Sequence, residues 1–220
     1  VEKEPLTPDK IYELAGVDKS SRQAFALTAN ENNSALATNI ASDSKAKIEK
    51  VGDSYVATWI DIQNNNGNLK TIIKYSKFKD NAWSAPKAVD VKGSAFYHDM
   101  YFDGKDLHLT WQSVENATNF ADLDYMCKNS EIYYAKYDVS TDKFVGIQQL
   151  TDNGTLDAAP HFVLQENNSQ NLAIAWQKNS LNDIMSLTGK NSIVYSECVG
   201  GSWSACQTLY ESDNYFSFVD

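Results

Sequence analysis

Apolar and polar residues alternate along three runs that each close on a tryptophan: SYVATWID (54–61), DLHLTWQS (106–113) and NLAIAWQK (171–178). Alternation with a period of two is the signature of a half-buried strand. Trp59, Trp111 and Trp176 stand in register, so one unit is written three times. A second shared element follows each run, at 71–89, 130–151 and 191–210. These elements align on Ile73, Ile132 and Ile193, on Tyr75, Tyr134 and Tyr195, and again on Trp83, Phe144 and Trp203. Val89, Leu150 and Leu209 close the alignment.

Each second element reads as a hairpin, with an alternating arm, a polar or glycine turn and a returning arm. A further short strand precedes each tryptophan run, at KAKIEKV (45–51), FYHDMYF (96–102) and APHFVL (159–164). The unit is therefore four antiparallel strands in chain order, A to D. An all-β chain of β-propeller blades is expected. Full blades fall at about 43–92, 93–153 and 154–211 within a segment 24–220, after an N-terminal tail or linker at 1–23. Residues 24–42 read as half a preceding blade, with Ile40 standing where Val89 does, and 212–220 as the first strand of another. Propellers typically need about four to eight blades. Further blades from the same polypeptide, or from another chain, are therefore expected.

The net charge is −10, which repels phosphate backbones and anionic membrane surfaces. No nucleic-acid partner and no membrane insertion are expected. Arg22 is the only arginine, which leaves no cluster for clamping a carboxylate or phosphate. Cys127, Cys198 and Cys206 form no disulfide framework by count or spacing. A turn at Gly200 and Gly201 would set Trp203, not Cys206, opposite Cys198. Low cysteine and abundant Asn, Ser, Thr and Tyr on a repeat β-architecture point to an exported, bacterial cell-surface protein.

The hairpins add a resemblance. Ser76 precedes Trp83 by seven positions, and Ser196 precedes Trp203 by seven, with Gly200 at the intervening glycine position. This resembles the Asp-box, Ser-x-Asp-x-Gly-x-x-Trp, of sialidase-like β-propellers. Phe78 and Cys198 stand where the box has its aspartate, and Ala135 and Phe144 are spaced too far apart in the middle copy. The resemblance is thus to a degenerate Asp-box propeller over about 24–220. It implies a fold, not an activity: sialidases grip their substrate carboxylate with three arginines, and this segment has no such triad.

Trp59, Trp111 and Trp176 are expected as wedges between blades, with a carbohydrate platform as the lesser reading. The loops between strands B and C differ most between copies, and loops on one propeller face are where ligands bind. Phe120, Asp122, Asp124, Tyr125 and Met126 on one such loop, with Asp183 and Met185 on the next, are the candidate ligand-binding residues. Packing over the blade edges is the competing account. On the strands themselves, alternation brings Asp99 and His161 toward one channel, without an evident third ligand for a metal. No cofactor is expected. Asp122–Asp124 and Asp152–Asp157 are the calcium candidates, and neither carries the full EF-hand pattern.

Diversified loops on a repeated scaffold without a catalytic motif lead to one expectation: a non-catalytic recognition or scaffold propeller, holding a protein or glycan on its B–C loop face. The alternative is a glycoside hydrolase for a neutral sugar, with its carboxylate pair drawn from Asp61, Asp99, Glu131 and Asp157. A structural spacer is a third reading.

Overall fold

A computed structural model describes residues 36–37, 39–41, 44–65, 68–117, 120–163 and 171–214. The chain divides into units 1–35 and 36–220, and every described residue belongs to the second. The tail expected at 1–23, and most of the half blade expected at 24–42, lie outside the described residues.

Three antiparallel sheets follow one another along the chain. The first holds β1 (Lys47–Val51), β2 (Ser54–Asn65), β3 (Asn68–Lys79) and β4 (Ala82–Trp83), with β5 (Lys87–Ala88) also on β3. The second holds β6 (Ser94–Phe102), β7 (Leu107–Val114), β8 (Ser130–Asp138) and β9 (Lys143–Gln149). The third holds β10 (Leu156–Val163), β11 (Leu172–Asn179), β12 (Asn191–Val199) and β13 (Ser202–Trp203), with β14 (Gln207–Ser212) also on β12. Strands lie side by side in the order in which the sequence writes them, because two-residue turns and short loops permit only neighbouring antiparallel pairs. Among the described residues the three sheets close no ring.

The turns explain the split outer strands. Asp80 and Asn81 both take positive φ (52° and 62°), as do Gly200 and Gly201 (60° and 85°), the backbone of a type I′ hairpin. Register then sets Phe78 opposite Trp83 and Cys198 opposite Trp203, as the glycine placement predicts. A serine pair secures each hairpin. Ser76 Oγ donates to the Ser84 carbonyl at 2.7 Å while the Lys77 N–H donates to Ser84 Oγ at 3.1 Å. Ser196, Glu197 and Ser204 repeat this at 2.8 and 3.1 Å. The returning strand leaves the ladder at that serine and rejoins it as β5 or β14.

Sheets stack through the tryptophan faces. Trp111 is fully buried in a cluster with Val56, Ile73 and Tyr75 of the first sheet. Trp176, also fully buried, joins Ile132 and Tyr134 of the second. In each sheet the tryptophan lies on one face and the conserved-register Ile and Tyr of the third strand lie on the other. One sheet's indole therefore covers the preceding sheet's Ile–Tyr pair. Burying an indole removes about 150–250 Å² from water, roughly 4–6 kcal/mol at about 25 cal/mol per Å². The wedge expectation holds for both residues.

One placement differs from the sequence reading. Ile40 does not end an outer strand as Val89 does; it bridges to Asp61 on β2. Val89 instead donates its N–H to Ile73 on β3. Residues 39–41 thus extend the edge of β2 already lined by β1, and the gap between them falls beside Trp59. Bulges interrupt β6 at Phe96, between the partners of Ser113 and Gln112, and β10 at Ala159 and Pro160. The β10 bulge falls opposite Trp176, whereas β6 stays paired with Trp111 through His98; an extra residue re-aims the side chains beyond it.

Candidate functional site

Polar side chains of β1, β6 and β10 meet at one point. Asp99 on β6 is the meeting point. Its Oδ1 receives Lys47 Nζ from β1 at 2.8 Å, and its Oδ2 accepts the Phe162 N–H from β10 at 3.0 Å. His161 Nδ1 stands 3.7 Å from that Oδ2, and His161 Nε2 shares a 2.8 Å hydrogen bond with Tyr97 OH. Three sheets converge on one carboxylate. The expectation that Asp99 and His161 meet is met.

The groups here are tuned apart. Burial alone would raise the Asp99 carboxyl, but hydrogen bonds from His161, Lys47 and the Phe162 N–H hold it well below the usual carboxylate range. Glu49, two residues from Lys47 on β1, is pushed the other way by burial and then by the Asp99 charge, against the opposing pull of Lys47. One carboxylate is thereby kept ionised while its neighbour holds its proton longer, the division that acid–base chemistry needs. His98 points to the opposite side of β6, where it bonds Thr58 Oγ1 at 2.9 Å. Burial and the Lys47 charge lower its pKa to about 4, so it stays neutral at pH 7.

Sequence reasoning missed Lys47, Glu49 and Tyr97. The signal was there: alternation in KAKIEKV sets Lys47 and Glu49 on one face and Ile48 on the other. Among the described residues no group of three or more His, Cys, Asp or Glu converges as a metal site requires. The Lys47 ammonium neutralises Asp99.

The other carboxylates serve the framework. Asp61 is buried and ion-paired to Lys74. Asp157 is fully buried, with Trp176 Nε1 donating to its Oδ1 at 2.7 Å and Asn153 Nδ2 to its Oδ2 at 2.7 Å. Asn153 also donates its N–H to Glu131 Oε1 at 3.2 Å, which ties these two acids together. Burial raises both, Asp157 to about 6. Of the candidate carboxylates Asp61, Asp99, Glu131 and Asp157, Asp157 has both oxygens engaged inside the sheet stack. His108 is likewise structural, bonded to Tyr134 OH at 2.9 Å and Asp103 Oδ2 at 3.1 Å.

The loop candidates lie elsewhere. The 114–130 loop contains a short helix, α1 (Leu123–Lys128), that the strand pattern gave no hint of. Asp122 caps it, accepting the Tyr125 N–H at 3.1 Å, and Asp124 lies in its first turn. Tyr125 OH donates to the Glu115 carbonyl at 3.1 Å, and Phe120 meets Phe96 edge-on at 5.5 Å between ring centres. Met126 is half-buried. Asp183 binds three backbone N–H groups, of Met185, Leu187 and Thr188, which leaves Met185 itself outward on an apolar tip with Leu181, Ile184 and Leu187. A cavity of about 200 Å³ opens beside this loop, lined by Gln112, Gln177, Asn179 and Asn191 among others. Asn179 Nδ2 donates to Asn191 Oδ1 at 2.8 Å in its wall.

No family model matches the chain, and no curated relative does. Solved structures similar to it include a GH62 hydrolase in complex with xylotriose, at TM-score 0.47 and 10% identity over 80% of this chain and 53% of that one. Another is a Bombyx mori GH32 β-fructofuranosidase mutant in complex with sucrose, at TM-score 0.47 and 14% identity over 81% and 40%. An endo-1,4-β-xylanase from Bacteroides thetaiotaomicron aligns at TM-score 0.33 and 8% identity over 77% and 72%. The chain spans about half the length of the first and less of the second. The expectation of a non-catalytic recognition or scaffold propeller working through its B–C loops is corrected at this point. The Lys47–Asp99–His161 cluster gathers on the first strands, and the loop candidates do not join it.

Proposed function

We propose that the chain is part of a β-propeller glycoside hydrolase acting on a neutral sugar, with Asp99 and Glu49 as its carboxylate pair. One observation carries this reading: two acids on the first strands of adjacent sheets, one held ionised by Lys47 and the Phe162 N–H, the other pushed toward its protonated form. Glycoside hydrolysis needs one carboxyl to protonate the leaving oxygen and one carboxylate to activate water or attack the anomeric carbon. Glu49 is assigned the first role and Asp99 the second. Tyr97 and His161, beside Asp99, are suited to hold sugar hydroxyls. A neutral substrate follows from the charge: the chain carries −10, has one arginine, and its site lysine already serves Asp99.

The propeller itself is supported by four-stranded sheets laid in chain order and stacked through repeated tryptophan faces. The paired serine braces at Ser76–Ser84 and Ser196–Ser204 support hairpins of the Asp-box kind.

Release of aglycone from a panel of neutral aryl glycosides, with Asp99→Asn and Glu49→Gln alongside, tests the assignment. Each variant should lose at least about a hundredfold in kcat, the lower range for an acid–base group. The stereochemistry of the product then reports the carboxyl separation, about 5–5.5 Å for retention or about 6.5–9.5 Å for inversion. Activity that survives both substitutions would end the reading.

A further inference from the structure

The two junctions between sheets differ at the end where the hairpin turns lie. Tyr137 pairs with Leu107 in the second sheet, and Cys198 with Leu172 at the same register in the third. Beneath Tyr137 the junction is closed. Tyr75 OH of the first sheet donates to the Asp142 carbonyl at 2.9 Å, and Tyr137 OH bonds the Asp142 carboxylate from the same turn. In the third sheet a thiol replaces the phenol ring, and Gly200 and Gly201 form the turn. A groove of about 1130 Å³ opens there, with Tyr101, Tyr134 and Lys136 on one side and Leu172, Cys198 and the two glycines on the other.

Tyr134 finds its hydrogen-bond partner in its own sheet. His108 stands opposite Lys136 where Val56 stands opposite Lys77, and its Nδ1 lies 2.9 Å from Tyr134 OH. His108 Nε2 lies 3.1 Å from Asp103 Oδ2. Burial would raise the Asp103 carboxyl, but the N–H groups of Asp106 and Lys105 and the His108 ring hold it below its ordinary value. An ionised carboxylate only accepts, so the proton between these two belongs to Nε2, and Nδ1 receives the Tyr134 O–H. Burial pushes the Tyr134 phenol up, so it keeps that proton. The Tyr134 oxygen is thereby fixed as an acceptor in the groove wall.

We propose that this groove binds a neutral saccharide, with one of its hydroxyls donating to the Tyr134 oxygen and its C–H faces against Tyr101 and Leu172. A concave site of mostly fixed walls with a few placed polar groups is the usual form of a small-ligand site. The charges that line it balance: Lys105 and Lys136 stand against Asp103 and Asp106, and Lys136 Nζ donates to Asp106 at 3.0 Å. An anion or a cation therefore finds no unmatched partner, whereas a hydroxylated ligand finds both donors and acceptors. The choice of a sugar rests on the proposed hydrolase reading. The site itself does not, because none of its described lining residues belongs to the cluster of Lys47, Glu49, Asp99 and His161.

Affinity electrophoresis of the Asp99→Asn chain through gels holding xylan, levan or mannan reads binding without turnover. At least one of these gels should retard the chain, and polygalacturonate, an anionic control, should not. Cys198→Tyr gives the third sheet the residue that the second has at this register. It should abolish the retardation in protein that still shows a cooperative melting transition. Tyr134→Phe removes only the phenol oxygen and should raise the Kd about tenfold, the worth of one hydrogen bond. It decides the matter if Cys198→Tyr does not fold. Retardation by none of the neutral polysaccharides, by polygalacturonate alone, or undiminished in either folded variant would overturn the proposal. A chain that is retarded as expected but hydrolyses no aryl glycoside would end the catalytic assignment and leave this site standing.

Discussion

Trp176 donates its indole N–H to Asp157 across 2.7 Å, whereas Trp111, the same residue one sheet earlier, has no hydrogen-bond acceptor for its own. Ala95 stands where Asp157 does, two register positions from its tryptophan. The repeats therefore agree in packing and differ in how the buried donor is satisfied.

Asp157→Ala should cost about 1–3 kcal/mol, the usual penalty for stranding a buried donor, and should change the emission of Trp176. Urea denaturation followed by fluorescence measures both. The pH dependence has a definite sign. Burial raises the folded pKa from 3.8 to about 6, so the contribution of this group is full below pH 4 and is lost as pH rises through 6. In Asp157→Asn that downward slope should vanish.

His98 gives the opposite slope over nearly the same window. Burial lowers its pKa from 6.5 to about 4, so the folded state prefers the neutral ring. Its stabilising contribution is present above pH 6.5 and is lost as pH falls toward 4. His98→Gln should flatten the acid limb of the stability curve. Melting temperatures of the two variants between pH 4 and 7 should diverge in opposite directions from the parent.

Lys47→Met tests the electrostatics of the first-strand cluster without touching a carboxyl. The Lys47 charge lowers Asp99, Glu49 and His98 alike, so its removal should move all three titrations upward. Carbon-13 NMR of the carboxyls and the imidazole reads each separately. A fixed Glu49 titration would show that Lys47 does not act on it.

Gly93→Ala should cost more than about 3 kcal/mol, the scale of severe backbone and packing conflicts. Gly93 has φ +74°, and an added Cβ would lie 2.0 Å from the Val114 carbonyl oxygen. Gly52→Ala, at φ +58° with nothing within 4 Å, should cost only about 1 kcal/mol. Denaturant midpoints of the two variants give the comparison.

The serine braces are open to a paired test. Ser84→Ala and Ser204→Ala should each cost about 1 kcal/mol, the net worth of the hydrogen bonds lost. Exchange should quicken only in the hairpin that carries the change.

The sequence by itself determined the strands, their order and which tryptophans wedge the sheets, because period-two alternation and turn residues are local properties of the chain. Trp111 and Trp176 were legible for that reason, as was the Cys198–Trp203 register that Gly200 and Gly201 impose. Only the tertiary structure added Lys47 to Asp99 and His161, which strand alternation had already brought toward one channel. They lie on three different sheets, and how sheets sit against one another leaves no periodic trace in the chain. Burial likewise separated Asp157, which serves Trp176, from Asp99, which faces Lys47. A carboxylate's role is set by what surrounds it, and strand alternation does not encode its neighbours across sheets.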